Sequence, residues 1–89
     1  MAHTTPVVFR KWRDGDIIAL FPMIQADNQG LLCTSYMHIG QHGGASYWRV
    51  IAQTVPATPA EYADLLVELK AIGYDNLRVM RRRSSRMSA

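Results

Sequence analysis

Cys33, His38 and His42 are the side chains best suited to chemistry, because a thiolate and two imidazoles can ligate a metal or act as nucleophile and base. His38 and His42 stand four apart, the spacing that chelates zinc when both sit on one helix face. Gly40, Gly43 and Gly44 argue against a helix there, and adding Cys33 or Asp27 as a third ligand matches no zinc signature. Nucleophilic catalysis would need an exposed Cys33 thiol of lowered pKa beside an imidazole. Cys33 instead falls among apolar neighbours in a strand-like stretch, where a free cysteine behaves as a small hydrophobe. His38 and His42 then read as a sheet residue and a loop residue. The chain has no paired-carboxylate or Ser-His-Asp pattern, and residues 40–44 lack the Lys-Ser/Thr of a phosphate loop. The residues point to binding rather than catalysis, with no metal and no cofactor. A metal or thiol site at Cys33, His38 and His42 is the alternative.

The glycine-rich stretch from Gly40 to Trp48 suits recognition better. Its three glycines imply a mobile loop that a partner can approach closely. Tyr36, His38, Gln41, His42, Tyr47 and Trp48 lie in or beside it, mostly the rigid aromatic groups enriched at protein-binding hot spots. A hairpin loop above core aromatics would read the same way. A second candidate is Arg81, Arg82, Arg83 and Arg86, which could contact phosphates by counterion release. No interleaved aromatic platform accompanies these arginines in the sequence, which favours a solvated, disordered tail.

These residues need elements to carry them, and the clearest is a helix over about 59–72. Thr58 and Glu61 form a capping-box pair, Pro59 suits the first helical position, and Gly73 supplies the stop. Tyr62, Leu65, Leu66, Leu69 and Ile72 make one apolar stripe. On the opposite face Ala60, Ala63, Val67 and Ala71 form a small-residue stripe bordered by Glu61, Asp64 and Glu68, a surface suited to self-association. Residues 7–12 and 17–21 read as strands joined by an Asp14-Gly15 turn, with Pro22 ending the second. Residues 23–30 read as a loop and 31–39 as a third strand, with Cys33 on one face and Tyr36 and His38 on the other. Residues 40–46 read as a flexible loop. Residues 47–55 read as a fourth strand whose first half could instead be a helical turn, and 76–82 as a last strand. The order βββ(β)αβ implies an α+β fold: a mainly antiparallel sheet of four to five strands with one long helix on one face. The strand order stays open.

Length allows one small domain, expected over 7–82 between a loose N-terminus (1–6) and an Arg/Ser-rich tail (83–89). An apolar fraction of 48% with 19% charged residues suits a globular chain. The net charge of +3 is unevenly placed: five of the ten basic residues follow Leu77, leaving five basic against seven acidic side chains, a net of −2, in residues 1–77. A body of that charge is unlike a nucleic-acid groove, so a protein partner or self-association is the first expectation, and nucleic acid through the arginine tail the second. A single cysteine precludes an intrachain disulfide, and neither a signal-peptide core nor a membrane-length apolar run is present, so a cytoplasmic protein without membrane contact is expected.

The runs FRKWRDGDIIALFP (9–22), SYMHIGQHG (35–43) and PATPAEYADL (56–65), followed by Ile72-Gly73-Tyr74, resemble a group of small proteins of bacteria and their mobile elements for which no activity is established. The resemblance covers most of residues 7–82. It implies a bacterial or phage-type cytoplasmic protein and no catalytic residues.

Overall fold

A tight turn starts the sheet. Gly15 takes φ +96°, a conformation that residues with a Cβ rarely adopt, and the Asp14 carboxylate accepts the Asp16 N–H at 3.0 Å. The turn joins β1 (Thr5–Lys11) to β2 (Ile17–Gln25), paired antiparallel with Val8 opposite Leu20 and Lys11 opposite Ile17. The computed structural model describes residues 4–38 and 41–81, with Gln41 described by its backbone alone. The remaining elements are β3 (Cys33–Met37), β4 (Gln41–Ala45), α1 (Tyr47–Gln53), β5 (Val55–Pro56), α2 (Pro59–Ala71) and β6 (Leu77–Met80).

The chain is α+β, as expected: a mainly antiparallel sheet with the 13-residue helix α2 packed on it. The strand order is β4-β3-β2-β1-β5, with β6 also pairing β1. The outer side of β1 is divided. β6 runs parallel to Thr5–Val8, whereas β5 runs antiparallel to Arg10 and Lys11. Strands β1 and β2 alternate between two cores. Val7, Phe9, Ala19 and Phe21 meet Leu65 and Leu69 of α2 on one face. Val8, Ile18 and Leu20 meet Tyr47 and Val50 of α1 on the other.

Four expectations are corrected. Residues 47–53 form a helix, extending the helical turn that the sequence left open as the alternative to the first half of a fourth strand, so both faces of the sheet are covered. Tyr47, Val50 and Ile51 share one helical face, and only burying that face covers Val8, Ile18 and Leu20. Residues 41–45 are a paired strand, not a flexible loop. A Cβ on Gly44 would meet Leu32 Cδ1 at 3.1 Å and Ala26 Cβ at 3.3 Å, so glycine there serves close approach rather than mobility. Pro22 does not end β2. The ladder shifts register between Phe21 and Gln25, and a bulge there leaves proline's missing N–H without a ladder partner to satisfy. Thr5 and Pro6, expected to be loose, pair with Leu77 and Arg78.

α2 has the ends its sequence demanded. The Thr58 hydroxyl accepts the Glu61 N–H at 3.3 Å, and the Glu61 carboxylate accepts the Thr58 N–H at 2.8 Å. At the other end Gly73 takes φ +121°, its N–H donates to Lys70 O at 3.2 Å, and the Tyr74 N–H donates to Leu69 O at 3.0 Å. These two bonds are a Schellman motif, which reverses the chain and returns Tyr74 to the sheet. Leu65 and Leu69 are buried and Tyr62 stacks on Phe9 at 4.4 Å. Ile72, expected in the buried stripe, is the C-cap residue and is 49% exposed, because the helical repeat stops one residue before it.

Lys11 Nζ lies 2.5 Å from Glu61 Oε2 and ties the end of β1 to the first turn of α2. The Lys11 hydrogen bond, helped by the Thr58 backbone N–H, holds the Glu61 carboxyl below the usual carboxylate range. A depressed carboxyl contributes stability above its unfolded-state pKa of about 4.3, and loses it as pH falls through the folded value. Glu61→Gln should therefore show a smaller drop in melting temperature than the parent on acidification through that range, with the two chains converging at the acid end. Parallel curves would remove this contribution.

Candidate functional site

Strand alternation sends Tyr36 and His38 of the β3 end toward the α2 side of the sheet, and the ladder places His42 directly opposite Tyr36. The Tyr36 ring is 1% exposed and packs edge-on to His42, centroids 4.6 Å apart. A buried phenol needs a partner, and α2 supplies it: the Tyr36 hydroxyl donates to Glu68 Oε2. His38 Nδ1 pairs with Glu68 Oε1, so one carboxylate holds both side chains. The His38 side chain is 74% exposed and that of Glu68 21% exposed, so the pair sits at the rim of the core.

Tyr74, delivered by the turn at Gly73, stacks on Phe21 at 4.9 Å and places its hydroxyl 3.4 Å from His42 Nε2. Tyr36, His42, Ile72, Gly73 and Tyr74 line an open groove of about 400 Å³ at the C-terminal end of α2. Its walls are aromatic and aliphatic, with His42 as a donor or acceptor within it. Such a groove can hold an apolar side chain while His42 hydrogen-bonds a polar group beside it.

The six residues expected to bind are divided by the sheet. Tyr36, His38 and His42 converge on the α2 side. Tyr47 is buried in the core under α1, and Trp48 stands on that helix 55% exposed. Gln41 pairs with Met37 through its backbone, and Gly40 lies outside the described residues. Cys33 is 7% exposed in the α1-side core, on the face opposite Tyr36, so it does not join the histidines as thiol or ligand. Among the described residues no three His, Cys, Asp or Glu side chains are grouped to hold a metal ion. Ala60, Ala63, Val67 and Ala71 are all exposed along α2. Arg81 is exposed; Arg82, Arg83 and Arg86 lie outside the described residues.

Two members of the site do not stand out in the sequence. Glu68 reads there as a border charge of the outer helix face. Its position one turn after the buried Leu65 is the available signal that its carboxylate can reach inward. Tyr74 follows the stop glycine, where a Schellman turn commonly brings an apolar residue back against the helix.

No protein-family model matches the chain, and comparison with curated proteins and with solved structures finds no significant match. Fold and site define a small α+β protein with an aromatic groove beside a helix end. Among the described residues no helix is long and apolar enough to cross a membrane.

Proposed function

We propose that the protein is a small binding module that contacts a protein partner through the His42–Tyr74 groove and the adjoining outer face of α2. One observation carries this reading: Glu68 ties the end of β3 to α2, so two surfaces separate in sequence adjoin. Glu68 and Ile72 are one turn apart on the flank of α2 between its buried and outer stripes. Ile72 is 49% exposed beside the groove, and Val67 is 67% exposed on the outer stripe. Exposed Val67 on the helix and Ile72 at its C-cap, the latter continuous with the aromatic groove and both rimmed by Asp64, Glu68 and His38, have the make-up of an interface core with a polar rim.

The test is capture of partners by the full-length tagged chain, with mass in solution measured in parallel. Val67→Arg with Ile72→Arg should weaken the captured complex by at least about 30-fold, the effect of losing one hot spot. His42→Ala should weaken it less. Both substitutions of the double variant fall on exposed positions, so its melting temperature should stay close to that of the parent. If the parent is larger than a monomer and the double variant is not, the partner is a second copy. Retention of every partner and of the parent mass by the double variant overturns the reading.

A further inference from the structure

On the opposite side of the sheet Arg81 acquires an aromatic neighbour that the sequence alone did not show. Trp48, 55% exposed on α1, lines a depression of about 450 Å³ together with Arg10, Ile51, Pro56 and Arg81. Arg81 is where the run Arg81-Arg82-Arg83 begins. No carboxylate is among the described residues that line this depression. Two guanidiniums sharing one hollow without a counter-charge repel each other, and a bound anion relieves that repulsion. Burial pushes the Arg10 guanidinium down from its ordinary pKa; Tyr47 opposes this, and the Arg81 charge adds to it. The indole is braced, standing edge-on to Tyr47 with centroids 4.9 Å apart and planes at 88°. It also lines a second depression with Met23, Gln25, Leu31 and Ser46, so it forms a ridge between the two hollows.

We infer that this ridge is a binding site for single-stranded nucleic acid, with Trp48 stacking on a base and Arg81, beside Arg10, receiving the backbone phosphate. The combination selects this ligand class. A flat aromatic face accepts any base, and arginine forks fit phosphate oxygens with two parallel bonds. Arginines 82, 83 and 86 follow Arg81 in sequence but lie outside the described residues, so the site rests on Trp48, Arg10 and Arg81. An acidic peptide would use the charge but has no need of the exposed indole. The site does not involve the α2 surface, so it stands or falls separately from the protein-binding reading.

The experiment uses the full chain and a short fluorescein-labelled oligothymidylate, read by anisotropy across a salt series. Trp48→Ala should weaken binding by roughly 5- to 150-fold, the range for one stacked base, while Trp48→Phe should keep most of it. Arg81→Ala should reduce the salt slope by about 0.7. A Trp12→Phe chain retains Trp48 as its one indole, whose fluorescence should be quenched by unlabelled oligonucleotide. An unquenched indole overturns the inference, as does Trp48→Ala binding as tightly as the parent. So does equal binding to polyglutamate or to phosphatidylserine vesicles, which would make the surface a general polyanion contact.

Discussion

Leu69→Ala should destabilise the protein by about 2–5 kcal/mol, the range for removing a buried leucine without collapse of the space it leaves. Leu69 is fully buried, and it packs where Val7, Phe9, Ala19, Phe21 and Tyr36 present one face of three adjacent strands. Strands cannot close in on a missing side chain without breaking ladder bonds, so most of the cavity should persist. A small domain holds only about 5–15 kcal/mol in total, and each kcal/mol lowers its melting temperature by roughly 4–8 °C. Val67→Ala on the same helix is the control. Its side chain is 67% exposed, and its effect should stay within about 0.5 kcal/mol. Urea unfolding followed by circular dichroism measures both, with the slope against urea unchanged. A loss below about 1 kcal/mol for Leu69→Ala would mean that α2 does not seat on the sheet as described.

Arg10→Met should lose about 2–3 kcal/mol, although methionine keeps an apolar stem in the same place. Arg10 is 7% exposed, and its guanidinium reaches from β1 to the C-terminal end of α1. Nε donates to Thr54 Oγ1 at 2.9 Å, and Nη2 donates to Thr54 O at 2.8 Å and Ile51 O at 3.1 Å. Thr54 Oγ1 in turn donates to Val50 O at 2.6 Å. A seven-residue helix is marginal by itself, and α1 has neither an acidic residue in its first turn nor a basic one in its last. The cation from the sheet therefore does what a C-terminal lysine or arginine would do: it satisfies the last carbonyls and complements the helix dipole. Removing it leaves Ile51 O and Thr54 O without their charged donor. Amide exchange should localise the effect, with the last turn of α1 losing protection while β1 and β2 keep theirs. An Arg10→Met chain as stable as the parent, with α1 still protected, would remove Arg10 from this role.

The two substitutions mark the two kinds of element in this chain. α2 was legible from residues 58–73 because every signal for it is local: a capping pair three residues apart, a proline at the first position, a stop glycine, and an apolar stripe at 3.6-residue spacing. The β1–β2 turn was legible for the same reason, since Asp14 and Gly15 set their own backbone. α1 was not legible. Over seven residues Tyr47, Val50 and Ile51 fit a helix, and Tyr47, Arg49 and Ile51 fit a strand face; the periods separate only over longer runs. What decides between them is Arg10, 41 residues from Ile51, together with an uncovered apolar face on β1 and β2. β4 was missed because His42-Gly43-Gly44 carries too few side chains to show alternation, and its pairing partner is β3, not itself.

The site divides along the same line. Alternation in β3 already separated Cys33 from Tyr36 and His38, so their placement in different cores followed from residue parity. That Glu68 would meet Tyr36 and His38 did not follow, because a carboxylate thirty-odd residues away reaches them only once α2 is laid across the sheet. Trp48 and Arg81 likewise come together only because α1 and the end of β6 flank the same stretch of β1. By itself, then, the sequence determined the α+β class, the long helix with both its ends, and the first hairpin, because each rests on interactions within a few residues. Tertiary structure decided the second helix, the path of the glycine-rich strand and the companions of every candidate side chain, because those rest on contacts whose partners lie tens of residues apart.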